Sequence, residues 1–365
     1  MNRGWLLLAC GWAAVLATGC DRTQTVQRGY RGTSMFQLKK PADIAALADI
    51  NKIPEPEAQE APDPEAPAIK EVFQNVKVLN DLTVLEFSRL MQALSTWVAP
   101  EQGCEFCHNP DNLASDEKYT KVVARRMLQM TRNINTTWKP HVGSTGVTCW
   151  TCHRGQAVPS GDWFANPGVP ATGHIMGFKD SQNTAGIKAN GNTALPNDAL
   201  SAFLDRGDEV RIQGTTALTQ VKHDTVKKAE WTYSLMIYMS NSLGVNCNYC
   251  HNTRALGRWD QSTPQRVTAW HGIRMVRELN NDYLNVLKPL FPAHRLSPQG
   301  DGPKVGCETC HKGAYKPLYG VSMLTDYPEL AGEMVRAPAE AASAAAAAQP
   351  AAAPAKVALA TKTKP

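Results

Sequence analysis

The hydrophobic positions of this chain form one short apolar run and four helical patterns. The apolar run covers residues 5–18. Further along, Leu82, Leu85, Leu90 and Leu94 have spacings that fit one face of an α-helix. A less regular pattern around residues 231–239 predicts a second helix, and residues 118–133 and 265–279 predict two more. We therefore predict a mainly α-helical fold with extensive irregular loops.

The segments between and around these helices lack a periodic apolar face. Residues 54–67 alternate proline, alanine and acidic residues, so we expect them to be extended. Residues 161–224 are rich in glycine and polar residues and predict an irregular connection. Residues 321–365 are predicted to be an Ala/Pro-rich disordered tail. These boundaries leave 80–160 and 225–320 as the two folded units.

The N-terminus predicts export from the cytoplasm. Residues 1–19 contain Arg3, then the apolar run, then small residues, which is the order found in a signal peptide. The end of the run, Ala17-Thr18-Gly19-Cys20, resembles a bacterial lipobox, although a larger aliphatic residue is usual in place of Ala17. We expect lipidation of Cys20 after cleavage. Residues 20–79 would then form an N-terminal anchor and the proline-rich extended segment, while ordinary cleavage or a retained membrane anchor are the alternatives.

Composition gives no indication of nucleic-acid binding. The 365 residues include 38 Lys and Arg against 33 Asp and Glu, a net charge of +5. No run of five or more basic residues occurs in the sequence. We therefore expect no nucleic-acid partner.

The chemistry of the chain is concentrated in four copies of Cys-x-x-Cys-His. This is the attachment signature of a c-type haem. Two thiols one helical turn apart can bond the two vinyl groups of one porphyrin, and the adjoining imidazole can bind the iron from the same side. The copies are Cys104-Glu-Phe-Cys107-His108, Cys149-Trp-Thr-Cys152-His153, Cys247-Asn-Tyr-Cys250-His251 and Cys307-Glu-Thr-Cys310-His311. A zinc site, a redox dithiol or a disulfide would explain Cys-x-x-Cys but not the histidine in all four copies. We expect four covalently bound haem c groups, numbered one to four in chain order.

The two folded units repeat one another. Leu90-Met91 precedes motif one as Leu235-Met236 precedes motif three, and Arg126-Met127 matches Arg274-Met275 ahead of motifs two and four. Each unit is predicted to run helix, haem loop, helix, haem loop. The fold class is therefore a multihaem cytochrome c built from two pseudo-symmetric dihaem units.

A six-coordinate haem needs a second axial ligand, normally Met or His. Met91 and Met236 occupy equivalent positions in the repeat and are predicted to serve haems one and three. Met127 is predicted to serve haem two. For haem four the residues leave two candidates almost equal: Met275, the repeat partner of Met127, and His141, which has no histidine counterpart in the second unit.

With these motifs in hand, residues 20–320 closely resemble the tetrahaem cytochrome subunit of purple bacterial photosynthetic reaction centres. That resemblance implies three Met/His haems and one bis-His haem. It pairs Met91 with His108, Met127 with His153, Met236 with His251, and His141 with His311. It also favours a lipid on Cys20.

The resemblance further implies what the protein does. The subunit would lie on the periplasmic face of the photosynthetic membrane, bound to the reaction-centre membrane subunits and anchored by its lipid. It would take electrons from a soluble cytochrome c or a high-potential iron-sulfur protein and rereduce the photo-oxidised bacteriochlorophyll special pair. It would then be an electron carrier and not an enzyme. The alternative from the residues alone is a periplasmic multihaem oxidoreductase or its electron-feeding subunit, which would need one haem with an open coordination position.

Overall fold

The computed structural model describes residues 22–28, 36–59, 65–165, 195–196, 198–212 and 226–332. The predicted signal peptide, Cys20 and the tail beyond residue 332 lie outside these ranges. Within them, α-helices joined by irregular loops dominate, as predicted. The α-helices are α1 (Pro41–Ile50), α2 (Ile69–Val72), α3 (Val84–Val98), α4 (Tyr119–Thr137), α5 (Lys139–Val142), α6 (Cys149–His153), α7 (Val226–Leu243), α8 (Pro264–Glu278) and α9 (Cys307–His311). No helix in the described ranges is both long and apolar enough to cross a lipid bilayer.

Helices α3 and α4 confirm the pattern predicted for the first unit. Helix α3 begins at a capping box, in which the backbone N–H of Thr83 donates to Glu86 Oε2 at 2.7 Å and the threonine hydroxyl oxygen accepts from the Glu86 N–H. Its buried face includes Leu90 and Trp97. Leu85 does not belong to that face, because its side chain is 38 % exposed.

Helices α7 and α8 confirm the pattern predicted for the second unit. Helix α8 starts with Pro264, whose fixed φ suits the first turn of a helix. It continues without a break into a π-helical turn, Leu279–Leu284, and then a 3-10 helix, Asn285–Leu290. Each π-helical turn contains more residues than an α-helical one. The π-helical turn therefore changes the angular spacing of the side chains that follow α8.

Two hydrophobic clusters form the core. One joins α4, α7 and α8 through residues such as Ile134, Leu235 and Ile273. The other surrounds α3 and includes Trp97, whose ring packs edge-on against Tyr327 with the centroids 4.6 Å apart.

Two parts of the sequence prediction were wrong at their boundaries. The segment Ser201–Asp205 lies inside the connection predicted to be irregular, but it is a π-helical turn with Phe203 and Leu204 buried in the first cluster. Residues 321–332 were assigned to the disordered tail, but they pack on α3 and α4, and Leu330 is fully buried. In both places short apolar stretches gain their order from long-range packing, which local periodicity does not report.

The N-terminal region contains the only sheet among the described residues. Strand β1 (Gln24–Gln27) pairs antiparallel with β2 (Phe36–Lys39), with Gln24 opposite Lys39. The sequence analysis predicted no strands here, because two four-residue strands carry little periodic signal.

Candidate haem sites

The four Cys-x-x-Cys-His motifs fall into two local conformations. Motifs one and three begin as 3-10 helices, Gly103–Phe106 and Cys247–Tyr249, shortly after α3 and α7. In each, a threonine at the start of the following helix donates its hydroxyl to the carbonyl of the residue before the second cysteine. These bonds join Thr120 to Phe106 at 2.5 Å and Thr263 to Tyr249 at 2.6 Å.

Motifs two and four instead form the short α-helices α6 and α9. Each begins with a backbone N–H that donates to a threonine hydroxyl three residues later, from Thr148 to Thr151 at 3.0 Å and from Gly306 to Thr309 at 2.9 Å. Each ends at a residue in the left-handed region, Arg154 or Lys312. The second cysteines of these two motifs face one another, with Cys152 Sγ 2.6 Å from Cys310 Sγ. All eight motif cysteines are free thiols, as haem attachment requires. Burial raises the pKa of the Cys149 and Cys307 thiols to about 12.

The histidine of every motif is oriented by its own backbone. In each case Nδ1 lies within hydrogen-bond distance of a nearby carbonyl oxygen. The pairs are His108 with Leu113 at 3.0 Å, His153 with Gln156 at 2.8 Å, His251 with Leu256 at 3.3 Å and His311 with Ala314 at 2.9 Å. Because a carbonyl only accepts, Nδ1 carries the proton and Nε2 keeps a free lone pair, which is the form that ligates a metal.

Burial also keeps several of these imidazoles neutral. It lowers the pKa of His153 and His251, and lowers that of His311 to about 4. A neutral ring is required for iron ligation, since a protonated imidazole has no lone pair to donate. The donor set therefore fits a haem at each motif.

His141 shares this arrangement although it lies in no motif. It sits on α5, directly after α4, and its Nδ1 lies 2.9 Å from the carbonyl oxygen of Thr268 on α8. Burial lowers its pKa as well. The His141 side chain thus reaches from α5 to α8.

The ring of His141 faces that of His311. Their centroids are 6.2 Å apart and their planes are inclined at 63°. If both rings bound one metal ion from opposite sides, the line between their centroids would contain two metal–nitrogen bonds of about 2.0 Å. Adding the distance from the ligating nitrogen to the centroid of each ring gives an expected centroid separation of about 6.3 Å. The observed separation therefore fits two imidazoles on opposite sides of one iron. The rival ligand, Met275, is instead 6 % exposed within the first hydrophobic cluster.

One large cavity connects the sites of motifs one and two. Its volume is about 920 Å³, near the upper end of the range for small-molecule sites. The predicted ligands Met91 and His108 line it, as do Met127 and His153. The cavity thus brings together the two methionines and the two motif histidines that were predicted as ligands of haems one and two. Met236 lies on α7 at the edge of the first hydrophobic cluster and is half-buried.

Two asparagines that the sequence analysis did not single out hold motifs two and four in place. Asn135 accepts a hydrogen bond from the Val147 N–H at 2.8 Å and donates to the Val147 carbonyl at 2.9 Å. Asn280 makes the same pair of bonds to Val305, at 2.9 and 3.0 Å. Val147 and Val305 each lie two residues before the first cysteine of a motif.

The third hydrogen bond of each asparagine ties down a distant segment. Asn135 donates to the Leu330 carbonyl and Asn280 to the Leu204 carbonyl, both at 2.8 Å. Asn135 precedes Cys149 by 14 residues, whereas Asn280 precedes Cys307 by 27 residues. Because the two spacings differ, comparison of the repeats did not reveal the pair.

Comparison with known proteins gives a consistent result. The family model described as the photosynthetic reaction centre cytochrome C subunit matches residues 19–331. Three relatives carry the name photosynthetic reaction center cytochrome c subunit. That from Rubrivivax gelatinosus is 50 % identical over 91 % of this chain and 90 % of its own length. Those from Thermochromatium tepidum and Roseobacter denitrificans are 46 % and 42 % identical, over 91 % and 88 % of this chain and 81 % and 89 % of their own lengths.

Proposed function

Because this chain belongs to the family of photosynthetic reaction-centre cytochrome c subunits, we propose that it carries electrons to the photo-oxidised bacteriochlorophyll special pair. The observation that carries the proposal is the occurrence of four intact haem-attachment motifs within a match that extends from residue 19 to residue 331. No bond of a substrate is made or broken in this role, so the protein is an electron carrier and not an enzyme.

The cofactors are four haem c groups, each joined through thioether bonds to the two cysteines of one motif. When bound, haem supplies a reversible one-electron couple, and axial methionine raises its potential relative to axial histidine. The chain supplies the remaining determinants. Its cysteines fix each macrocycle, and its backbone carbonyls fix the tautomer and orientation of each proximal histidine.

The axial pairs are Met91 with His108, Met127 with His153, Met236 with His251, and His141 with His311. Two observations support this set. The first two pairs line one cavity, and the His141 and His311 rings stand at the separation expected for two imidazoles on one iron. Three Met/His haems and one bis-His haem would give a chain of unequal potentials.

The chain comprises two dihaem units, residues 80–160 and 225–320. Equivalent hydrogen bonds in the two halves support this division. Thr120 bonds motif one as Thr263 bonds motif three, and Asn135 bonds the residue ahead of motif two as Asn280 bonds the one ahead of motif four. Each threonine anchors the first motif of its unit to the following helix, and each asparagine anchors the second motif.

The protein acts at the periplasmic face of the membrane, bound to the reaction-centre membrane subunits. The signal-like N-terminus supports export, and lipid on Cys20 would hold the chain at the bilayer. The electron donor is a soluble cytochrome c or a high-potential iron-sulfur protein.

A stepwise redox titration of the purified protein, followed by haem absorption and low-temperature EPR, tests the proposal. We expect four low-spin haems, one with a bis-imidazole signal. Replacing His141 by Met should remove that signal and raise the potential of the same haem. A high-spin haem that binds nitrite or cyanide would instead support the oxidoreductase.

Flash photolysis of membranes tests the role itself. Deletion of the chain should abolish fast rereduction of the special pair, and the restored chain should recover it. Unchanged rereduction kinetics in the deletion strain would contradict the assignment to the reaction centre.

A further inference from the structure

Helix α8 contains a glycine that its own helical geometry does not require. Gly272 lies in the interior of α8 and is buried. It is the only glycine within the α-helices that the structure describes. Glycine destabilises a helix interior relative to alanine, since it loses more backbone freedom on folding. Its presence at this position therefore indicates a close contact that a side chain would prevent.

The contact is with the imidazole of His141. A Cβ atom built on Gly272 would lie 2.6 Å from Cε1, 2.9 Å from Nδ1 and 3.2 Å from Nε2 of that ring. All three distances are shorter than ordinary van der Waals contact, and the two below 3.0 Å are essentially never seen for a real Cβ atom. The imidazole thus occupies the volume in which any larger residue would place its first side-chain carbon.

The ring is also fixed from the other direction. Its Nδ1–H donates a hydrogen bond to the carbonyl oxygen of Thr268. Thr268 lies one helical turn before Gly272, on the same face of α8. The ring therefore lies against one turn of α8, between Gly272 and the Thr268 carbonyl, with its centroid 6.2 Å from that of His311. Movement away from Gly272 would break the bond to Thr268 or change the distance to His311.

We propose that Gly272 is the positioning residue that admits His141 as the axial ligand of haem four. This inference rests on the axial ligands given under the proposed function. The absence of a side chain at residue 272 lets a histidine of the first unit lie against a helix of the second, close enough for both imidazoles to bind one iron. With any larger residue there, His141 would be displaced from the haem.

The test uses Gly272→Ala in the full holoprotein, after covalent attachment of four haems has been confirmed by mass. We expect the bis-imidazole EPR signal to disappear. We also expect one haem of the four to bind carbon monoxide after reduction, or to take a different ligand and a shifted potential. Val267→Ala, on the exposed side of the same helix, is the control and should leave the spectrum unchanged. Retention of the bis-imidazole signal in Gly272→Ala overturns the inference.

A second variant separates this inference from the ligand assignment. His141→Gly should lose the same signal, and added imidazole should restore it. If His141→Gly keeps the signal, the ligand assignment itself fails. If His141→Gly loses it while Gly272→Ala keeps it, only the role of Gly272 fails.

A double-mutant cycle covers the case in which Gly272→Ala folds poorly. Without the ring of His141, alanine meets no obstacle and favours the helix. Gly272→Ala should therefore lower the denaturation midpoint of the parent protein but raise or preserve that of His141→Gly. Equal destabilisation in both backgrounds would show that Gly272 serves the helix and not the ligand.

Discussion

Asn280 offers the sharpest test of how the fold holds a haem motif. Its side chain is fully buried and makes three hydrogen bonds, all to backbone groups. Two of them bind the N–H and the carbonyl of Val305, two residues before the first cysteine of motif four. The third binds the carbonyl of Leu204 in the buried π-helical turn. Replacement by alanine removes all three bonds. The Val305 N–H and the Leu204 carbonyl lose this partner, whereas the Val305 carbonyl keeps its bond from the Trp163 indole N–H at 2.8 Å.

The expected cost follows from these contacts. A hydrogen bond contributes about 0.5–1.5 kcal/mol net, and a buried polar group left unsatisfied costs about 1–3 kcal/mol. With partial relaxation, we expect Asn280→Ala to lower the free energy of unfolding by about 3–5 kcal/mol. This exceeds the effect of a typical single substitution, about 1 kcal/mol.

The assay is denaturant unfolding of the holoprotein, followed by circular dichroism and by the haem Soret band. The neighbouring residue supplies a matched control. Asn281 is exposed and donates to the carbonyls of Asp205 and Arg277, both at 2.9 Å, where water can replace it. We expect Asn281→Ala to cost less than about 1 kcal/mol. Equal midpoints for the two alanine variants would refute the reasoning.

Three further predictions concern residues 80–160. Asn135→Ala should lower the denaturation midpoint about as much as Asn280→Ala, because it removes the equivalent three bonds; an effect below 1 kcal/mol would contradict this. Arg132→Leu should lower the free energy of unfolding by about 3–5 kcal/mol, because it removes the ion pair of two hydrogen bonds, 2.9 and 3.0 Å long, from Asp81. Adding Asp81→Leu should recover part of that loss, and unfolding free energies that simply add in the double variant would refute the pairing. Arg125 holds the pKa of Asp116 well below its usual range, so this carboxylate stabilises the fold at neutral pH and loses its contribution as pH falls through the folded-state pKa. Because Asp116 is partly exposed, Asp116→Asn should lower the free energy of unfolding by only about 1 kcal/mol at pH 7, and by progressively less below about pH 4. The difference in denaturation midpoint measures this effect, and a difference that stays constant across pH would exclude an ionic origin.

The sequence by itself determined the chemistry and the main helices. A covalent haem site consists of five consecutive residues, so its signature is complete within the local sequence and does not depend on the rest of the fold. The helices α3, α4, α7 and α8 likewise follow from apolar periodicity over more than ten residues each. Met91 and Met236 were singled out because they keep the same position in both units.

Only the tertiary structure decided the contacts that join distant parts of the chain. The residues alone left haem four divided between His141 and Met275, and the family resemblance favoured His141. The fold brings His141 across to α8 and His311, and it encloses Met275 in the core. The local sequence likewise gives no sign of the contacts made by Gly272, Asn135 and Asn280. Each of these residues contacts a backbone segment or a ring that becomes adjacent to it only after folding. Periodicity reports which face of one element is apolar, whereas the partner of each buried polar group depends on how the elements pack.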